Sequence, residues 1–461
     1  MVNSELIHEP RNMEGEVITM GRRAIDMDDL AMDLVLAGSI DEKNRVAKKI
    51  TDIAYKNNIY SSSINGLYMA RGKGEFPGNF TVPAINLRTL TYDLAKAIFR
   101  VARKNNAGAF IFEIAKSEMG YTDQPPVEYV AVCLAAAVKE GWTGPIFVQG
   151  DHFQVNAKNY RENPEKELDG LRAIITKAME AGFYNIDIDS STLVDLAKPS
   201  VKKQQKDNYE VCAILTNFIR RNQPRGIEVS VGGEIGEVGH QNSTPEDLRA
   251  FMEGFKKRLR KGRSGISKIS IQTGTSHGGV VLPDGTIATV KLDFDTLKNL
   301  SKIAKGEYGL AGAVQHGAST LPAEAFGKFP EAGTAEVHLA TEFQNMVYES
   351  SHFPKELKDR IYDWLKKTQS SDRIADQTEE QFLYSTRKKA LGQFKKDIMC
   401  LSKETRNMIA SQIEKKFEFL FEKLNVRNTR DLTSKHVTLK RVISRKRKPS
   451  EHVALSSEGA D

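Results

Sequence analysis

Residues 81–115 read TVPAINLRTLTYDLAKAIFRVARKNNAGAFIFEIA, and the period of the apolar residues changes twice along them. Thr81–Leu87 and Ala109–Ala115 are short, apolar and β-rich, whereas Thr91–Lys104 repeats its apolar residues at helical spacing. Strand, helix and strand in so short a span predict a βαβ unit with parallel strands. The alternation continues outward. Further strands are predicted at Pro145–Gly150, Asn185–Asp189, Ile227–Gly233, Lys268–Thr273, Leu310–Gln315 and Ala335–Leu339. Helical patterns at Val127–Glu140, Glu165–Ala181, Pro245–Lys261 and Asp295–Ala304 fall between them. Eight strands over residues 61–350 predict an α/β fold, the (β/α)8 TIM barrel. An open doubly wound sheet would more often place a GxGxxG turn after its first strand, and none follows Leu87.

The flanks differ in texture. Residues 1–60 read as a helical leader, with Leu30, Leu34, Val35, Val46, Ile50 and Ile53 at roughly helical spacing. Residues 351–433 read as a helical extension built from Pro354–Lys367, Glu379–Leu401 and Lys403–Leu424. Residues 434–461 form an expected flexible basic tail that contains the run Arg445–Lys448.

Over 461 residues, 40% hydrophobic and 28% charged, the composition is that of a folded soluble chain and excludes disordered, collagenous and disulfide-scaffold classes. Cys133, Cys212 and Cys400 show no CxxC spacing, so neither a thiolate metal site nor a redox pair is indicated. No apolar run reaches the length of a membrane span, and Met1–Gly15 lacks the apolar core of a signal peptide. A reduced, cytoplasmic setting is expected. The net charge of +7 owes much to the tail and has no nucleic-acid motif beside it, so a small molecule is the expected partner.

Barrels place their chemistry at the carboxyl ends of their strands. Of nine histidines, four fall there: His152 after the third strand, His277 after the sixth, His316 closing the seventh and His338 within the eighth. Imidazoles converging on one point with an open position suit zinc, and also cobalt or iron. Asp151 adjoins His152, Asp189 ends the fourth strand and Glu234 ends the fifth. Small residues follow two of the histidines, at Gly278–Gly279 and Gly317-Ala318-Ser319, where backbone N–H groups can approach a phosphate.

Asp151-His152, Glu234-Ile235-Gly236, His277-Gly278-Gly279, His316-Gly317-Ala318-Ser319 and the segment HLATEFQ at 338–344 each stand at their own strand end, and together they resemble the class II, metal-dependent fructose-bisphosphate aldolases. The resemblance implies that His152, His277 and His316 hold the catalytic metal, expected to be Zn2+ or else Co2+ or Fe2+. It implies that Asp151 is the acid/base group, and that Asp189 and Glu234 can hold a second or displaced metal. Gly278, Gly317, Ala318, Ser319 and Thr341 match phosphate-loop positions, and Asn86 matches a substrate-facing asparagine.

The family's chemistry needs those types. Cleaving a bond beside a ketose carbonyl leaves an enediolate that a Lewis acid stabilises, and a carboxylate must move the hydroxyl proton. A Schiff-base lysine has no good candidate, since Lys268 stands at the wrong end of its strand and Lys116 lies beyond Ala115. The chain departs from the family at His338, where Asn is usual, at Ala340, where Asp or Asn is usual, and at Ala115, where Ser is usual. Gly239-His240-Gln241-Asn242 stands where a second acidic group is expected, which leaves Glu237 or His240 to replace it. His338 and Glu237 therefore join Asp151 in the expected catalytic set.

The expected activity is reversible cleavage of a ketose (bis)phosphate, fructose 1,6-bisphosphate foremost, to dihydroxyacetone phosphate and an aldehyde, by a homo-oligomer. GDHFQ at 150–154, AGFYNIDID at 181–189 and EVSVGGE at 228–234 also resemble companion subunits of tagatose-bisphosphate aldolases. A non-catalytic or partner-dependent subunit therefore stays open, as does another metal-dependent sugar-phosphate epimerase or isomerase.

Overall fold

Eight short strands form where the apolar runs predict them: β1 (Val82–Asn86), β2 (Ile111–Ala115), β3 (Gly144–Gln154), β4 (Asn185–Asp189), β5 (Ser230–Glu234), β6 (Lys268–Ile271), β7 (Ala313–Gln315) and β8 (Glu336–Leu339). The computed structural model describes residues 26–236, 241–274, 282 and 292–442. Each strand pairs in parallel with its sequence neighbours, β8 pairs with β1, and the ring closes as a (β/α)8 barrel. Among the described residues no helix is long and apolar enough to cross a membrane.

Local chemistry sets the helix ends. The helix Pro164–Ala181 opens with proline in its first turn, where a missing N–H costs nothing, and the Asn163 side chain accepts from Lys166 N. It stops at Gly182, whose φ of 114° suits glycine, and Ser61 Oγ donates to the Gly182 carbonyl.

Two features were not apparent from the pattern. The leader forms two helices, Met27–Leu36 and Ile40–Lys56, and then an outer strand, Ile59–Ser62, which pairs with Gly144–Phe147 of β3. β3 also runs past Gly150 to Gln154, so Asp151 and His152 lie inside it. There the register against β4 slips, with Gly150 opposite Ile186 and Phe153 opposite Ile188. The slip is a bulge, a device that re-aims side chains.

The carboxy-terminal extension packs on the barrel. The helix Lys403–Lys423 lies along Thr91–Lys104, where Arg406 Nε meets Asp93 Oδ2 at 3.1 Å and Arg100 Nη2 meets Glu414 Oε2 at 2.6 Å. The segment predicted as one helix over 379–401 is instead a series of short helices that includes Glu379–Thr386, Ala390–Gln393 and Lys395–Met399. Beyond it, Thr429 Oγ1 accepts from Gly108 N and Ala109 N, and a last helix spans Arg430–His436. Phe417 is fully buried, 5.0 Å between ring centroids from Phe343. Truncating it to alanine is expected to cost about 3–5 kcal/mol, read as a lowered urea midpoint with unchanged slope.

Candidate active site

Most barrels fill their interior with branched apolar side chains. Here Glu113 of β2, Gln149 of β3, Lys268 of β6, and Glu336 and His338 of β8 are all buried among the strands, with Asp187 of β4 beside them. Lys268 does begin β6 as expected, but its long stem carries Nζ inward to Gln149 Oε1 at 2.7 Å and Asp187 Oδ2 at 2.8 Å, and it also pairs with Glu336. Glu336 in turn accepts from Gln149 Nε2 at 2.7 Å and from the Tyr68 hydroxyl.

Above this layer the bulge of β3 presents Asp151 and His152, the latter in the left-handed region at φ 38°. Three imidazoles surround Asp151 Oδ1: His338 Nδ1 at 3.2 Å, His316 Nε2 at 3.5 Å and His152 Nε2 at 3.8 Å. The ring centroids of His152 and His316 are 4.3 Å apart, and those of His316 and His338 are 4.1 Å apart. Sequence placed these three histidines on one rim, and the structure brings all of them together. His277, Gly278 and Glu237, with the alternative His240, lie outside the described residues.

The other ring nitrogens are held from behind. His152 Nδ1 lies 3.2 Å from Asp189 Oδ2 and 3.4 Å from Glu234 Oε2, while His316 Nδ1 lies 2.7 Å from Ser270 Oγ. Asp189 is itself fixed by Gln154 Nε2 at 2.6 Å and by Ser191. A carboxylate or hydroxyl behind the second nitrogen is how proteins orient a ligating imidazole. Asp151 Oδ1 is buried without a hydrogen bond, and it shares a space of less than 4.8 Å with ligand atoms of His152 and His316. The donor set thus fits a divalent cation of the zinc, cobalt or iron type.

So many carboxylates in one low-dielectric space compete for protons. Burial, with Asp189 adding to it, pushes Glu234 up to about 8. Burial and Asp151 push Glu113 up to about 7, and burial and Glu336 push Asp187 up to about 6. For Asp151, burial is outweighed by the neighbouring His152 and His338, which hold its carboxyl well below the usual carboxylate range. It is held as an anion.

Of the expected phosphate positions, the described ones, Gly317, Ala318, Ser319 and Thr341, stand at the ends of β7 and β8. Gly317, at φ 68°, opens the turn Ala318–Thr320, and Ser319 Oγ accepts from Ala340 N at 2.8 Å, tying the loops after β7 and β8 together. Asn86 ends β1; its Nδ2 donates to Glu118 at 2.5 Å and its buried Oδ1 has no hydrogen bond. Arg88 was missed from sequence. Its Nη2 pairs with Glu118 Oε1 at 2.6 Å and its Nη1 lies 3.4 Å from Thr341 Oγ1. Lys388 of the extension is pushed down to about 8 by burial and by Arg88. Only its place two residues beyond a strand end could have marked Arg88. Glu113, Asp187 and Glu336 did carry a signal, as charges inside otherwise apolar strands.

The family model of class II fructose-bisphosphate aldolases matches residues 76–421. No curated protein matches the chain. Among solved structures, a probable tagatose 6 phosphate kinase from Sinorhizobium meliloti 1021 is 14% identical with a TM-score of 0.51, covering 77% of this chain and 99% of that one. The fructose-bisphosphate aldolase of Campylobacter jejuni is 16% identical with a TM-score of 0.46, covering 80% of this chain and 97% of that one. The YdjI aldolase of Escherichia coli K12 is 13% identical with a TM-score of 0.40, covering 74% and 98% respectively. The Sinorhizobium structure shares the fold.

Proposed function

The chain belongs to the class II fructose-bisphosphate aldolase family, and from that premise we propose a metal-dependent aldolase that reversibly cleaves a ketose bisphosphate. Fructose 1,6-bisphosphate is the foremost substrate, giving dihydroxyacetone phosphate and glyceraldehyde 3-phosphate. The observation that carries this reading is the Asp151 carboxylate set among the imidazoles of His152 and His316 at 3.8 and 3.5 Å.

His152 and His316, with His277, would hold the cation, and Asp189 and Glu234 would orient His152 or receive a displaced ion. When bound, the cation supplies Lewis acidity for the charge left beside the ketose carbonyl as the carbon–carbon bond breaks. Asp151 takes the proton of the hydroxyl on the departing carbon. That oxygen's electron pair forms the aldehyde carbonyl, and the electrons of the broken bond pass to the ketose fragment. Glu237 then returns a proton to the fragment's carbon. His338, against Asp151, holds the acid/base carboxylate in place. Gly278, Gly317, Ala318, Ser319 and Thr341 take a phosphate, with Arg88 and Lys388 supplying positive charge, and Asn86 Oδ1 accepts from a substrate hydroxyl.

The lysine inside the barrel is unsuited to a Schiff base. Asp187 and Glu336 outweigh burial and keep Lys268 protonated, its Nζ directed to carboxylates. Exhaustive chelation should therefore abolish cleavage, and Zn2+ or Co2+ should restore it, with two fragments as products. Activity that survives chelation would sink the mechanism, and a single rearranged sugar would point to an epimerase or isomerase. Metal-loaded but inactive protein would shift the substrate to another ketose phosphate.

A further inference from the structure

The environment of His338 is not explained by a role in steadying Asp151. Its Nε2 lies 2.7 Å from Glu336 Oε1, and a carboxylate only accepts, so Nε2 carries a proton. Its Nδ1 faces two more carboxylates, Glu113 Oε2 at 3.0 Å and Asp151 Oδ1 at 3.2 Å. Close as these oxygens are, the buried Nδ1 and the buried Asp151 Oδ1 make no hydrogen bond. A cation between the three atoms would partner both.

The spacing agrees. Ligands bonded to one ion at about 2.1 Å stand about 3.0–3.5 Å from one another, and His338 Nδ1 stands 3.0 and 3.2 Å from the two oxygens. Glu113, Asp151 and His338 are at most 6% exposed, and their ligand atoms fall within 4.8 Å of one another. Behind the imidazole, Glu336 accepts its second N–H and Lys268 neutralises Glu336, the support that a metal-bound histidine receives. Charge points the same way. Glu113, Asp151, Asp187 and Glu336 crowd the interior, where the Lys268 ammonium alone is permanently positive among the groups they contact.

We infer that Glu113, Asp151 and His338 form a second, deeper binding position for a divalent transition-metal cation, which shares Asp151 with the outer position of His152 and His316. The inner position shares Asp151 with the proposed catalytic machinery but takes Glu113 and His338 as ligands of its own, so metal binding rather than turnover tests it. Mixed imidazole and carboxylate donors select zinc, cobalt or manganese rather than calcium or magnesium.

Co2+ titration of the metal-free full-length protein, followed by equilibrium dialysis and visible absorption, tests this. Wild-type protein should bind two equivalents. Glu113→Gln, nearly isosteric, and His338→Asn should each bind one, with an altered absorption band, while His316→Ala should keep the inner equivalent. Thermal melting confirms that each variant is folded. One equivalent in the wild type, with band and affinity unchanged in both Glu113→Gln and His338→Asn but lost in His316→Ala, would overturn the inner position and leave the outer one standing. Wild-type protein that binds no Co2+ would overturn both.

Discussion

Asp151→Asn should lower kcat for ketose-bisphosphate cleavage by about 10²- to 10⁴-fold, the range associated with loss of a general acid/base. The amide keeps the size of the side chain and can still accept a hydrogen bond, but it cannot take the hydroxyl proton. Its setting makes the effect large. Asp151 is 6% exposed and ringed by three imidazoles, so solvent has little access to replace it. The measurement is steady-state cleavage at saturating Zn2+ with bound metal quantified in the same sample. Undiminished turnover with metal retained would remove Asp151 from the mechanism. Lost turnover with the outer equivalent lost would make its contribution there that of a ligand rather than of a base.

The largest effect on stability is expected at the floor of the site. Lys268→Met removes the cation that Asp187 and Glu336 share and leaves both carboxylates in the barrel interior. Breaking a buried pair from one side costs about 3–5 kcal/mol, because the remaining charges lose their cation where water cannot replace it. The sign of the pH dependence follows from that charge. Asp187 already sits at about 6, raised by burial and by Glu336. Without Lys268, Asp187 rises further above its unfolded value of about 4, and Glu336 loses the main attraction that holds its carboxyl below the usual range, so both shift upward. The folded variant then binds more protons than the unfolded one, so its stability falls as pH rises through the folded values and recovers in acid. Urea unfolding at about pH 5 and pH 8 checks this against the wild type. A penalty independent of pH would mean that lost packing, not uncompensated charge, is responsible. Adding Asp187→Asn to Lys268→Met should recover part of the loss.

Much of the barrel was legible because its signals are local. Asn185–Asp189 was predicted to the residue, and Thr91–Lys104 likewise, since alternation of apolar and polar residues or a helical apolar repeat is read within a few positions. The histidines at 152, 316 and 338 were legible by the rule that strand ends carry the chemistry. The outer strand Ile59–Ser62 was not, because four residues without alternation give no period. The broken helices after Glu379 were read as one because their composition is uniformly Lys- and Glu-rich while their breaks come from packing.

Lys268 shows where strand position misleads. Its height on β6 was correctly read, but height fixes only the Cα, and a four-carbon stem spans the distance from the strand's start to the carboxylates of β4 and β8. The bulge in β3 is a second case. It places Asp151 among the imidazoles and puts His152 at positive φ, yet nothing in GDHFQ distinguishes a bulge from the end of a strand.

By itself, then, the sequence determined the number and order of the eight barrel strands, the main helices between them, their parallel sense, and the residue types standing at each strand end. These follow from periodicity and from turn chemistry over a few consecutive residues. Only the tertiary structure decided which of those side chains meet. Gln149 and Glu336 are 187 positions apart, His152 and Asp189 are 37 apart, and their contact depends on the closure and stagger of the whole ring. It also decided that the interior holds a column of charge from Lys268 to Asp151 in place of an apolar filling, because partners in a buried ion network are chosen by distance across the barrel and not by spacing along the chain.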